Sequence, residues 1–136
     1  MAKLVALYKK PADIKKFDDY YYSMHVGIAK KIAGLRRYEV SAGRVATPQG
    51  DSPYHLVAIL TFESMPVLQQ ALGSAEGKAT AADLANFATA GVDLLVFAAQ
   101  GSAYLRRNGL QSNGGVIYVK TSGVTSSTGW LDLPSR

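Results

Sequence analysis

The run FDDYYYSMHVGIAKKIAGLRRYEVS, residues 17–41, joins an amphipathic helix to a strand and holds His25, one of two histidines in the chain. On a helix of about 3.6 residues per turn, the apolar side chains of this run fall mainly on one face and the charged ones on the other. Tyr21 and His25 are four residues apart on the apolar face, so they are neighbours where the helix meets a sheet. The run therefore predicts a surface helix with a buried stripe.

A strand is expected directly after this helix. Gly34 stops the helix, and the residues from Leu35 to Val45 alternate between the two faces of a strand. Tyr38 falls on one face and Arg37 on the other. The helix places the phenol of Tyr21 and the imidazole of His25 where it meets this sheet.

Periodicity and capping residues predict the remaining elements. The first half is expected to contain a strand at Lys3–Tyr8, the first helix from Asp13, the second strand and a turn-rich loop at 47–53. A strand at Tyr54–Phe62 follows, then a helix that begins at Ser64, weakens at 73–77 and resumes to Ala90. The last expected element is a strand at Val92–Ala99. This β-α-β-β-α-β order predicts an α+β fold of the ferredoxin-like kind. In that fold, two helices cover one face of an antiparallel four-stranded sheet.

The strand Tyr54–Phe62 predicts a partner for the sheet, because both of its faces are largely apolar. Strict alternation puts Tyr54, Leu56, Ala58, Leu60 and Phe62 on one face and His55, Val57, Ile59 and Thr61 on the other. Two helices cover only one face, so the other face needs a second copy. We expect a homodimer in which two sheets face one another and close an α+β barrel.

Composition excludes several classes of function. The 136 residues are 48% hydrophobic and 18% charged, which predicts a folded domain rather than a disordered chain. The net charge of +5 is not gathered into a basic patch, so nucleic acid is not an expected partner. No apolar run approaches the roughly 20 residues of a membrane span, and the start of the chain is too short for a signal peptide, so a cytoplasmic protein without a membrane partner is expected.

No cofactor or metal is expected either. Cysteine is absent, which excludes thiolate chemistry and cysteine metal ligands. The acidic residues Asp13, Asp18, Asp19 and Glu63 do not have metal-site spacing with either histidine. His55 stands near the start of a strand beside a loop, where we expect a structural or surface role.

A resemblance covers residues 3–100. The segments YYYSMHVGIAKKIAGLRRYEVS, FES and VDLLVFAA resemble the EthD family of dimeric α+β barrel proteins. The resemblance implies small-molecule oxidation, quinone-type or lactone chemistry, and a pocket between the first helix and the sheet, with Tyr21, Met24 and Ile28 as binding residues and His25 and Tyr38 as catalytic ones. The related polyketide cyclases have a histidine in the later helical region that SAEGKATAADL lacks, and Gly27 stands near a proline that is common in the family.

His25 and Tyr38 suggest acid–base chemistry. A histidine moves protons near neutral pH, and a tyrosine hydroxyl donates to an oxyanion, so the pair suits enolisation or deprotonation of an activated aromatic molecule. Such an enzyme would be a cofactor-independent oxidoreductase or isomerase. The alternative is that both residues belong to the hydrophobic core, with their polar tips satisfied inside the protein.

The composition changes after Gln100, since 15 of the 36 residues at 101–136 are Gly, Ser or Thr. This composition suits a flexible linker or a vector-derived addition, yet Ala103–Arg107, Val116–Lys120 and Gly129–Leu133 read as short strands. The segment 101–130 resembles a module of phage tail-fibre, head-fibre and other virion proteins. That resemblance implies a β extension with assembly contacts at Tyr104, Arg106, Tyr118, Lys120 and Trp130.

Two functions follow, and the segment 101–136 favours the first. In the first, residues 1–100 form an assembly module of a phage or prophage particle, a decoration, head-fibre or tail-associated protein that is not an enzyme. Its partners would be itself and capsid or tail proteins, and it would be found in the virion, or in the host cytoplasm before assembly. In the alternative, the protein is a cytoplasmic EthD-type enzyme or binding protein with a pocket around His25.

Overall fold

The computed structural model describes residues 1–101 and four two-residue strands at 112–113, 116–117, 120–121 and 124–125. The chain divides into two units, Met1–Ala99 and Gln100–Arg136. In the first unit the elements follow the order β1 Ala2–Lys9, α1 Ile14–Tyr20, a π-helical turn Tyr21–His25, α2 Val26–Ala29, β2 Leu35–Val40, β3 Ala46–Thr47, β4 Gly50–Asp51, β5 Tyr54–Phe62, α3 Met65–Gly73, α4 Ala75–Phe87 and β6 Val92–Ala98.

The sheet confirms the predicted fold. Its strands lie in the order β2-β5-β1-β6, and each neighbouring pair is antiparallel. The helices pack on one face of this sheet, which is the ferredoxin-like α+β arrangement.

Local side chains set where the helices begin. Asp13 caps α1 by accepting a hydrogen bond from the backbone N–H of Lys16 at 3.0 Å. Ser64 caps α3 as predicted, and Ser74 caps α4 through the backbone N–H of Gly77 at 3.1 Å. The predicted weak point at 73–77 is thus a turn at Ser74, and Gly77 lies within α4.

The second strand is shorter than the alternation predicts. β2 ends at Val40, whereas the sequence pattern continued to Val45. Gly43 has a φ of 77°, a left-handed conformation that a regular strand does not contain. Ala46–Thr47 then pairs with Gly50–Asp51 in a separate hairpin, β3 with β4.

Strict alternation in β5 is wrong at its first two residues. Tyr8 pairs with Leu56 but Lys9 pairs with Tyr54, so the register shifts by one residue at His55. Tyr54 consequently lies on the face away from the helices, where its hydroxyl donates to Asp93 Oδ2 at 2.9 Å. His55 turns towards α1 instead.

The face of the sheet away from the helices has an apolar centre. The strand registers place Val5 between Ile59 and Leu95, and Lys3 between Thr61 and Phe97. This open face includes Lys3, Val5, Leu7, Val57, Ile59, Thr61, Asp93, Leu95 and Phe97, and on the edge strand β2 the charged residues Arg37 and Glu39. Leu95 and Phe97 are exposed in the single chain.

The second unit contains two small hairpins. Ser112–Asn113 (β7) pairs with Val116–Ile117 (β8), and Lys120–Thr121 (β9) pairs with Val124–Thr125 (β10). Of the predicted strand Val116–Lys120, Val116–Ile117 lies in β8 and Lys120 in β9, and residues 118–119 lie outside the described residues. The predicted strands at 103–107 and 129–133 and the assembly contacts Tyr104, Arg106, Tyr118 and Trp130 lie outside the described residues, while Lys120 is the first residue of β9.

Within the described part of the chain, no helix is long and apolar enough to cross a bilayer.

Candidate functional site

The π-helical turn places the residues of the site. The backbone N–H of Val26 bonds to the carbonyl of Tyr21, five residues earlier, between two ordinary helical segments. Single π-helical turns inside α-helices are frequent at functional sites. Within the turn, Tyr21 and His25 are buried, whereas Tyr22 and Met24 are exposed.

His25 forms a buried pair with Asp83 of α4. The distance from His25 Nδ1 to Asp83 Oδ2 is 2.8 Å, and the two side chains are 3% and 6% exposed. The other carboxylate oxygen, Asp83 Oδ1, accepts from the hydroxyl of Tyr20 at 2.6 Å and from the amide of Asn86 at 3.0 Å. Burial alone would raise the pKa of Asp83, but these three hydrogen bonds outweigh it and hold the pKa below its usual value.

This pair decides which ring nitrogen of His25 acts as a base. Burial lowers the pKa of His25 despite the opposing effect of Asp83, so the ring is neutral at neutral pH. An ionised carboxylate only accepts, so Nδ1 carries the ring proton and Nε2 keeps its lone pair. The described residues offer Nε2 no hydrogen bond, which leaves it available to a ligand.

Three tyrosines surround the histidine. The hydroxyl oxygens of Tyr21 and Tyr38 are 2.8 Å apart, which brings the predicted catalytic strand residue to the helix. The rings of Tyr8 and His25 both pack against Tyr21, with centroids 5.5 and 5.4 Å from it. Burial raises the pKa of Tyr8, Tyr21 and Tyr38, so all three stay protonated and act as hydrogen-bond donors.

A cavity of about 250 Å³ adjoins these groups, between the sheet and the helices. Four residues with polar side chains line it, His25, Tyr8, Tyr38 and Thr80. The rest of its wall is apolar and includes Leu4, Ala6, Ala29, Ile32, Ala58, Leu60, Leu72, Leu84, Leu94 and Val96. Within residues 1–101, no charged side chain lines the cavity, so this wall offers no cation to a nucleotide phosphate.

Only some of the predicted site residues line the cavity. His25, Tyr21 and Tyr38 come together, and His25 and Tyr38 line the cavity. Met24 is exposed and Ile28 is half-buried, and neither belongs to the cavity wall. Ala29 and Ile32, on the next turn, line it instead.

Asp83 was missed by the sequence reasoning, and so were its partners Tyr20 and Asn86. The search for carboxylates considered only those that lie close to the histidines in the sequence, whereas Asp83 is 58 residues from His25. One signal was present: Asp83 stands beside Leu84 on a helix whose buried stripe also includes Phe87. An acidic residue on a buried stripe needs a partner.

His55 forms a second pair with a carboxylate, at the surface. Its Nε2 lies 2.7 Å from Asp18 Oδ1, and its ring meets Phe17 edge-on at 5.2 Å between centroids. The side chains of His55 and Asp18 are 18% and 40% exposed, in a wider cleft of about 410 Å³ that Lys10 and Arg44 also line. This cleft is larger than the cavity at His25, but its two cations share the carboxylate of Asp51. In residues 1–101 and the short strands, no group of three potential ligands is arranged for a metal ion.

Comparisons with known proteins agree with this architecture. Residues 9–91 match the EthD domain family. The chain is 38% identical over 96 residues to an uncharacterized 11.0 kDa protein in the thcB-thcC intergenic region of Rhodococcus erythropolis, which spans 70% of this chain and 91% of that protein. An ethyl tert-butyl ether D (EthD) family protein from Bacillus halodurans C-125 superposes with a TM-score of 0.68 at 35% identity, over 74% of this chain and 99% of that one.

The fold extends to more distant proteins. SnoaB, a cofactor-independent oxygenase from Streptomyces nogalater, superposes with a TM-score of 0.54 at 15% identity, over 74% of this chain and 94% of that one. Such a likeness concerns the fold alone. The family match covers more than half of the chain, and the relative from Rhodococcus erythropolis is matched over nearly its whole length. The chain therefore belongs to the EthD domain family.

Proposed function

We propose that the protein binds a small apolar molecule in the cavity and that His25 acts on it as a general base. The observation that carries this proposal is the His25–Asp83 pair, because it fixes the proton on Nδ1 and leaves Nε2 as a lone pair beside a cavity. A general base needs a pKa near or below the working pH and a hydrogen-bonded partner that orients it. His25 has both.

The step proposed is removal of a proton from an enolisable or phenolic molecule. The proton passes to Nε2, the electron pair of the broken bond moves to the ligand oxygen, and Tyr38 donates a hydrogen bond to that oxygen. Return of the proton to another atom of the same molecule completes an isomerisation. An oxygenase without a cofactor would begin with the same deprotonation and then require dioxygen as a co-reactant.

The virion role expected from residues 101–136 depends on side chains outside the described residues. The small-molecule alternative is supported by described residues at the cavity, and it agrees with membership of the EthD family. The open face of the sheet also supports self-association, because Val5, Ile59, Leu95 and Phe97 form an apolar surface that none of the described helices covers.

An exchange assay tests the role of His25. The enolisable bicyclic ketone 2-tetralone is incubated in deuterated buffer, and the loss of its α-proton signal is followed by NMR with wild-type protein, His25→Gln and the matched control His55→Gln. We expect wild type and His55→Gln to accelerate exchange and His25→Gln not to. Because burial lowers the pKa of His25, the fall in rate that protonation of Nε2 causes should come at a lower pH than the roughly 6.5 of an ordinary histidine, and the rate should be level above that pH. Equal exchange by His25→Gln and wild type, or no acceleration by either, would overturn the proposal.

A further inference from the structure

Two buried polar atoms at the cavity have no hydrogen-bond partner among the residues that the structure describes. The first is His25 Nε2, an acceptor. The second is the hydroxyl of Tyr8, whose side chain is only 2% exposed and which, like His25, lines the cavity. In the part of the chain that the structure describes, this hydroxyl makes no hydrogen bond. Tyr21 differs, because its hydroxyl pairs with Tyr38.

Buried polar groups almost always have a hydrogen-bond partner, because an unpaired one keeps the cost of losing its hydration. Two such atoms on one cavity are therefore informative about what fills it. The rings of Tyr8 and His25 both pack against Phe87, with centroids 5.5 and 4.6 Å from it, so the two side chains are near neighbours where they line the cavity. His25 Nε2 needs a hydrogen-bond donor, and the hydroxyl of Tyr8 can donate a hydrogen bond.

We propose that the cavity selects an uncharged molecule with a hydroxyl group, phenolic or enolic, that donates to His25 Nε2 and accepts from the hydroxyl of Tyr8. This inference rests on the proposed function and names its ligand class. A hydroxyl satisfies both atoms at once, because it is donor and acceptor. A ketone satisfies only the hydroxyl of Tyr8 until it enolises, when its new hydroxyl can also donate to Nε2. A carboxylate cannot donate to a neutral imidazole.

The wall of the cavity sets the charge and the size of the ligand. With no charged side chain on the wall, a carboxylate would lose its hydration without a cation in return. A cavity of about 150 Å³ holds benzene, so the 250 Å³ here suits a molecule of two fused rings. Leu94 and Val96 are half-exposed wall residues on the edge strand β6, so they mark the mouth of the cavity. The hydroxyl group of the ligand therefore points into the cavity, and the fused rings of the ligand lie against its mouth.

Titration calorimetry with three matched probes tests this assignment. The probes are 2-naphthol, naphthalene and 2-naphthoate, at about pH 7.5, where the naphthol is neutral and the naphthoate is charged. We expect 2-naphthol to bind about tenfold to a hundredfold more tightly than naphthalene, from one or two hydrogen bonds. The naphthoate should bind most weakly of the three.

A variant then assigns the contact. Tyr8→Phe should lose about tenfold in affinity for 2-naphthol and nothing for naphthalene. Tyr22→Phe is the matched control, because Tyr22 is exposed and its ring packs against Tyr21. It should change the affinity for neither 2-naphthol nor naphthalene. Equal affinities of wild type for naphthol and naphthalene, or an unchanged naphthol affinity in a folded Tyr8→Phe, would overturn the hydroxyl assignment while leaving an apolar site. Naphthoate binding as tight as that of naphthol would overturn the charge selection, and no binding of any probe would also remove the proposed function.

Discussion

Replacing Asp83 by asparagine separates the charge of the buried pair from its shape. The carboxylate accepts three hydrogen bonds, from His25 on one oxygen and from Tyr20 and Asn86 on the other. An amide of the same size has one oxygen and one NH₂ group, so it cannot accept on both sides. If the NH₂ faces His25, the ring proton must move from Nδ1 to Nε2.

The expected cost of Asp83→Asn is about 2–4 kcal/mol of unfolding free energy. A hydrogen bond to a charged group contributes about 1.5–3 kcal/mol to stability, and a neutral one contributes about half of that. In addition, the NH₂ group of the amide faces a former donor at one of the three hydrogen bonds. Relief of the buried charge offsets part of this loss. A domain of this size has about 5–15 kcal/mol of stability, so the variant should still fold.

Two measurements check this prediction. Urea denaturation gives the loss of stability, and nitrogen-15 NMR of the imidazole reports whether Nδ1 or Nε2 carries the proton. Asp18→Asn is the matched control, since its partner His55 is partly exposed and an exposed pair contributes about 0–1 kcal/mol. Equal destabilisation by the two variants would refute the role assigned to Asp83. The position of the ring proton then shows which end of the amide faces His25, because it stays on Nδ1 beside the oxygen and moves to Nε2 beside the NH₂ group.

Two further predictions concern packing and assembly. Gly77→Ala should lower the free energy of unfolding by about 1–3 kcal/mol in urea denaturation, because a Cβ there would stand 2.1 Å from the carbonyl oxygen of Ala71. The control Gly73→Ala places its Cβ where no atom lies within 4 Å and should cost nothing. Equal stabilities of the two variants would contradict this contact. Ile59→Glu should convert a dimer to a monomer in sedimentation by placing a charge on the open face, and Ile14→Glu, on the exposed side of α1, should not; a wild type that sediments as a monomer at micromolar concentration would exclude the self-association.

The fold could be read from local patterns. Period-two alternation marked Tyr54–Phe62, and a serine before an apolar stripe marked the start of α3 at Ser64. These signals are carried by residues a few positions apart, which is the range in which propensity and capping act. The one-residue shift at His55 gave no such signal, because a bulge depends on the pairing strand and on the turn that precedes it.

The site could be read only in part. Tyr21 and His25 share a helix, so their proximity follows from spacing, and Tyr38 enters from the next strand. Asp83 and Tyr8 come from elements whose distance from His25 is set by tertiary packing, and no local rule connects them. Whether the hydroxyl of Tyr8 has a partner likewise depends on tertiary packing and could not be read from the sequence.

The π-helical turn also makes the first helix a segment with two rotational phases. An α-helix advances about 100° per residue, and the turn at Tyr21–His25 absorbs one extra residue, so the chain after it is set back by about that angle. Phe17 enters the core before the turn, while Ala29, after it, reaches the cavity. The segments before and after the turn thus present their buried side chains at different angles around one helix axis. Substitutions after His25 can reshape the cavity without turning Phe17 out of the core.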